Sequence, residues 1–188
     1  MQYARKDNIK IEAMPKMEAV CPLCNEIVVS KCGKIKIWHW AHRNLKDCDN
    51  WFEPETQWHR DWKARFPEEC REVTIGKHRA DVKYKGKVFE FQNSSISYEQ
   101  VKEREQFYGN MCWIINMKEK NNFIVRDSKY DKNGNLYYTF RWKWCSKIWK
   151  YSTKPKYIDT TDGLFMIYKI YDNNCGAGKY LYIDEFII

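Results

Sequence analysis

The sequence predicts a mixed α+β protein: an α/β core, preceded by a small zinc-binding β-hairpin module and followed by a basic, aromatic, β-rich tail. Three observations carry this. Residues 18–50 gather Cys and His at metal-ligand spacing. Residues 51–120 read in order as helix, three strands, helix and strand. Residues 121–188 alternate aromatic runs with turn residues. The expected segments are therefore 1–50, 51–120 and 121–188.

Residues 1–17 read as a polar lead with some alternation. The Cys21-Pro22-Leu23-Cys24 knuckle follows, and alternating runs at 26–30 and 34–40 flank Cys32-Gly33, which reads as a hairpin turning near Gly33. His39, His42 and Cys48 come next. Five candidate ligands compete for four tetrahedral places; Cys21, Cys24, His42 and Cys48 are favoured, with His39 as the alternate. If the second strand runs on to His39, that side chain shares a face with Ile35 and Ile37 and packs instead. The remaining cysteines, Cys32, Cys70, Cys112, Cys145 and Cys175, have no partner at ligand spacing and read as reduced, partly buried thiols.

Pro54 suits the first turn of a helix running to about Phe66. Glu55, His59 and Lys63 then share one face, beside a stripe of Trp58, Trp62 and Phe66. Such a face is either simple surface pairing or the wall of a cleft. Strands are expected at 71–75, 78–84 and 87–93. Ser94 to Ser97 offers N-caps for a helix over 98–109, and Met111–Met117 is an apolar strand. Further on, Lys132-Asn133-Gly134-Asn135 turns between runs at 123–128 and 136–142, and residues 141–151 suit a short helix. Runs at 164–171 and 180–183 read as strands joined by a glycine-containing loop over 173–178.

Asp81 and Glu90 are the most informative pair. On adjacent strands they could meet at one end of a hairpin, and Gln92 shares the Glu90 face because side chains alternate with period 2. Converging carboxylates suit Mg²⁺ or Mn²⁺, which can activate water against a phosphodiester. Carboxylates on hairpins are more often solvated, but here the flanks are Ala80, Val82, Val88, Phe89 and Phe91. Buried carboxylates are costly unless paired or metal-bound.

These blocks, together with Glu55-x3-His59-x3-Lys63 and Arg104-x3-Tyr108, resemble the competence protein CoiA-like nucleases, a branch of the PD-(D/E)XK superfamily. The resemblance covers residues 18–117. It implies an αβββαβ restriction-endonuclease-like core and hydrolysis of DNA phosphodiesters, in recombination, DNA processing or phage–host conflict. It implies that Asp81, Glu90, Glu55 and the Phe91 carbonyl hold Mg²⁺ or Mn²⁺, and that Gln92 orients water or the scissile phosphate. His59 would touch water or phosphate. The superfamily's usual Lys is Gln92 here, as in other CoiA-like sequences; Gln brings no positive charge, and Lys63 is a possible substitute. The competing reading is an inactive zinc-containing module that binds nucleic acid or protein on the same fold.

Composition narrows the partners. Residues 118–156 hold 11 Lys/Arg against 3 Asp/Glu, while the rest of the chain holds 22 of each, so this stretch carries the whole net charge of +8. Its lysines, including Lys143, Lys147 and Lys150, are interleaved with aromatics, which suits nucleic acid, DNA more than RNA, or else an ordinary solvated face. Arg104 either binds phosphate or pairs with a surface carboxylate near Glu103. No run of 18 apolar residues and no apolar leader is present, so a cytoplasmic protein with no membrane partner is expected; the resemblance implies a bacterial protein, or a viral one acting in the host cytoplasm.

Overall fold

The first 42 residues form a five-stranded antiparallel sheet. The computed structural model describes residues 1–44, 48–51, 53–118 and 120–187. The chain divides into two units, Met1–Lys85 and Gly86–Ile188.

In the first unit, β1 (Tyr3–Lys6), β2 (Ile9–Glu12), β3 (Glu18–Val20), β4 (Ile27–Lys31) and β5 (His39–His42) form a sheet in the order β2-β1-β3-β4-β5. The N-terminal residues are thus a hairpin rather than a polar lead. Asp7 and Asn8 take left-handed backbone (φ 50° and 62°) and turn β1 into β2. One face buries Met1, Ala4, Ala19, Cys21, Val28 and Trp40. The hairpin expected around Gly33 is present, since β4 pairs with β5. Its second strand starts later than expected, at His39, and residues 32–38 are the connecting loop. Ile35 is 99% exposed there, so it does not pack with His39.

After this sheet come α1 (Gln57–Lys63), a 3₁₀ turn (Glu68–Cys70) and the antiparallel pair β6 (Arg71–Ile75) and β7 (His78–Tyr84). The helix is shorter than expected from Pro54. Thr56 takes an extended conformation, and its hydroxyl and backbone N–H engage the backbone and ring of His59. That capping box fixes the start after Thr56 and leaves Glu55 outside the helix.

The second unit has the strands β8 (Lys87–Gln92), β9 (Met111–Asn116), β10 (Phe123–Tyr130), β11 (Leu136–Trp142), β12 (Lys156–Thr160), β13 (Gly163–Ile170) and β14 (Cys175–Leu181). They lie in the order β10-β11-β14-β13-β12-β9-β8. The helix α2 (Tyr98–Tyr108) crosses from β8 to β9, which pair in parallel. Ser97 caps it through a second capping box with Gln100. Trp113, Ile114, Ile158, Leu164 and Phe165 are wholly buried, as expected of an apolar central strand and its neighbours.

Three expectations in the tail are corrected. The helix over 141–151 is only α3 (Lys147–Tyr151), because β11 runs to Trp142. The glycines read as a loop lie inside β14: a Cβ on Gly176 would collide with Phe140, and one on Gly178 with Phe165. Gly is required there by close packing, not by a turn. The last run ends at Leu181, and Ile183–Ile187 forms α4.

A buried ionic group organises the first unit. Glu72 on β6 is 7% exposed and accepts hydrogen bonds from the backbone N–H groups of Gln2 and Tyr3 and from Lys63 Nζ (2.9 Å). Lys63, wholly buried, also pairs with Glu55 at 2.6 Å. Burial alone would raise the Glu72 carboxyl, but Lys63 and Arg79 hold it well below the usual 4.5. The sign follows: its stabilising contribution is present above pH 4.5 and is lost as pH falls toward the depressed folded value. We expect Glu72→Gln to destabilise the first unit by ~3–5 kcal/mol near neutral pH, since Lys63 loses half of its compensation. Denaturant melts should show the gap between wild type and variant shrinking as pH falls from 7 to 3. A constant gap would mean that the ion pair is not the source.

Candidate metal centre and the charged groups around it

Cys21 opens the turn after β3, and its Sγ accepts from the N–H of Leu23. Asn25 takes left-handed backbone (φ 61°), which closes the knuckle and returns the chain into β4. Cys24 thereby faces His42 at the end of β5, with Sγ and Nε2 3.2 Å apart. Cys48 arrives from beyond Leu45–Asp47, the part of the expected zinc module that lies outside the described residues. The ligand atoms of Cys21, Cys24, His42 and Cys48 all lie within 4.8 Å of one another.

The donor set fits zinc. Tetrahedral zinc with Zn–S bonds of about 2.3 Å separates its sulfurs by about 3.8 Å, and Cys21 Sγ and Cys48 Sγ are 3.7 Å apart. Burial, with Cys21 and Cys24 close by, pushes the Cys48 thiol up to about 12. A cation is what would let such crowded sulfurs ionise together. His39 stays outside the cluster, its Nδ1 bonded to the Ile37 carbonyl oxygen at 2.8 Å. The choice between the two histidines thus falls on His42.

Asp49, which the sequence did not single out, links this cluster to β7. Its Oδ1 accepts from Trp51 N–H and from His78 Nδ1 (2.9 Å), and its Oδ2 accepts from Arg79 N–H (2.9 Å). Trp51 stacks flat on His78, with centroids 3.3 Å apart. The residue after Cys48 therefore clamps the start of the strand that carries Asp81. Adjacency of Asp49 to Cys48 was the only sequence signal, and nothing in the sequence pairs it with His78.

The other candidates of the first unit form one charged group. Asp81 is half-buried, and its charge helps to raise His59, Lys63 and Arg79. His59 is buried; desolvation would lower it, but Glu53 and Asp81 outweigh that, and its pKa is raised. Its Nδ1 lies 2.7 Å from the Thr56 hydroxyl. Lys63 is enclosed between Glu55 and Glu72, so its ammonium already has two carboxylate partners.

In the second unit, β8 buries Glu90 and Gln92 on one face (4% and 3% exposed). Arg104 of α2 points its Nη1 at Glu90 Oε2, 3.0 Å away, with its guanidinium 5.9 Å from the Trp113 ring. Arg104 does pair with a carboxylate, but with buried Glu90 of β8 and not with the surface carboxylate expected near Glu103. Gln92 Nε2 donates to the Ser94 carbonyl, while its Oε1 is buried with no hydrogen-bond partner among the described residues. Phe91, between them, buries its ring. Lys143 and Lys147 are exposed, and Lys150, half-buried, donates to the Asp172 carbonyl. Phe123, Phe140, Trp142 and Trp149 of the same stretch are core residues; Tyr130, Trp144 and Tyr151 are the exposed rings.

Residues 3–50 match the family model described as the N-terminal domain of competence protein CoiA. That segment contains all five strands of the first sheet and all four clustered ligands. It supports the CoiA-like resemblance there. No curated protein and no solved structure matches the chain.

Elemental analysis should find about one zinc per chain, and chelation should speed hydrogen exchange in His78–Tyr84 as well as in the Cys module. Asp49→Asn should keep the zinc yet loosen the same strand. Exchange in β7 that ignores both changes would remove the clamp.

Proposed function

We propose that the chain is a CoiA-like, metal-dependent nuclease that hydrolyses DNA phosphodiester bonds, with a structural zinc in its N-terminal sheet. The observation that carries the reading is on β8. Glu90 and Gln92 lie buried on one face, and the side-chain oxygen of Gln92 has no hydrogen-bond partner among the described residues. Leaving a buried acceptor unmade costs ~1–3 kcal/mol, and sites of function are where such costs are kept.

In this reading Asp81, Glu90, Glu55 and the Phe91 carbonyl are the ligands for Mg²⁺ or Mn²⁺. The ion would supply Lewis-acid stabilisation of charge developing on phosphorus-bound oxygens. Gln92 orients the attacking water or the phosphate through its free carbonyl or its amide. The charge that Gln92 lacks is better supplied by Arg104, already beside Glu90, than by Lys63, whose two carboxylates neutralise it. A guanidinium also suits phosphate, because its fork of donors matches two oxygens. His59, whose pKa Glu53 and Asp81 raise against the desolvation of its ring, would touch the water or the phosphate.

The test is cleavage of labelled single- and double-stranded DNA and RNA with Mg²⁺, Mn²⁺ or neither. Asp81→Asn and Glu90→Gln, which keep shape and remove charge, should each slow cleavage by roughly a hundredfold or more. Gln92→Lys should retain cleavage. Activity that survives both acid substitutions would falsify the assignment. Binding without any metal-dependent cleavage would make the chain a binding module.

The basic stretch should make DNA affinity fall steeply with salt. Replacing Lys143, Lys147 and Lys150 together by Met should flatten the slope of log affinity against log salt by about two to three. An unchanged slope would place the phosphate contacts elsewhere.

A further inference from the structure

A groove of about 410 Å³ lies in the second unit between α2 and the segment that follows α3. Its volume is within the range of small-ligand sites, roughly 300–1,000 Å³. The floor is Val101, buried, and Glu105. Both Glu105 oxygens are occupied: Trp113 Nε1 and Ser152 Oγ donate to one, and the N–H and hydroxyl of Thr153 to the other. Burial would raise this carboxyl, but those four donors outweigh it and keep it ionised. Its charge is spent on fixing the 152–153 segment against α2 and β9. The groove is therefore prebuilt, and the acid in its floor is turned away from any ligand.

The walls differ from the floor. Tyr98 and Tyr151 stand edge to face, 6.4 Å apart, and are 46% and 66% exposed. Lys102, exposed, and Lys154, half-buried, complete the lining. Two accessible ring faces beside two ammonium groups match planar bases joined by phosphates. Lys154 belongs to the stretch that carries the chain's whole net positive charge.

We propose that this groove binds single-stranded nucleic acid, with unpaired bases stacked on Tyr98 and Tyr151 and phosphates on Lys102 and Lys154. The inference rests on the nucleic-acid reading above and narrows it. Paired bases are stacked on one another and offer the tyrosines no free face, so a duplex gains only the lysine contacts. Stacking of this kind tolerates any base, so the groove selects strand state and not sequence. For a nuclease it would hold an end, a flap or a displaced strand.

The experiment uses the full chain, without added divalent metal, and a short single-stranded DNA carrying 2-aminopurine, alongside the same sequence as a duplex. Base stacking should quench the fluorescence of the single strand. Tyr151→Leu should relieve the quenching and weaken single-strand affinity about tenfold, with Tyr98→Leu in the same direction, while duplex affinity holds. Lys102→Met and Lys154→Met should each reduce the single-strand salt slope by about 0.7 without restoring fluorescence. Tyr171→Leu, at another exposed tyrosine (48%), serves as the control and should change neither. Single-strand binding that ignores both groove tyrosines overturns this inference and leaves the nuclease reading standing. Equal losses for single strand and duplex also overturn it, since the contacts would then be to backbone alone. No binding of either form also overturns this inference, while cleavage with Mg²⁺ or Mn²⁺ decides the nuclease reading separately.

Discussion

Glu72 carries a full charge in the interior of the first unit, and the neighbouring elements are arranged to make that tolerable. The ends of β1, the last turn of α1 and the start of β7 all send donors or cations to it. It even holds left-handed backbone, φ 45°, in a strand. Such a conformation costs of order 1–3 kcal/mol and persists only where surroundings over-determine it. Lys63 depends on Glu72 in turn, because an ammonium with no exposure needs both of its carboxylates. Removing either charge would strand the other, so this pair behaves as one structural unit. Because Glu55 is part of it, any metal at Glu55 would have to share that carboxylate with Lys63.

The Cys/His cluster sets a second constraint, at the other end of the same unit. Its four ligands come from the knuckle after β3, from the end of β5 and from the segment that leads into Asp49. The module has a small core, so a metal would add the cross-links that a few buried side chains cannot supply. Asp49 then extends that order to β7 through three hydrogen bonds. A metal at this cluster would thereby be coupled to Asp81 through a single short strand.

The second unit handles its buried acids differently. Glu90 meets a guanidinium and Glu105 meets four neutral donors. A carboxylate satisfied by neutral donors is fixed in place and inert. One paired with Arg104 keeps a positive group beside it that a phosphate could also use. This contrast separates the structural acid from the candidate catalytic one, although both lie buried and close to Trp113.

Much of the local structure was legible in the sequence. Strands at 71–75, 78–84 and 87–92 follow from alternation interrupted by Gly76 and Gly86, both at positive φ. Ser97 announced α2, and the spacing of Cys21, Cys24, His42 and Cys48 announced the cluster, because caps and metal ligands are local rules. What the sequence hid was long-range. The N-terminal hairpin reads as polar because its strands are short and half-exposed, and its burial comes from pairing with β3. Gly176 and Gly178 look like a loop until Phe140 and Phe165 are seen packed beneath them. Lys63 looked like a free cation, Arg104 like a surface one, and Asp49 like a loop residue. Each acquired its role only when tertiary structure brought up a buried carboxylate, Glu90 or His78, since desolvation makes the partner of a charge, and not its type, decide what it does.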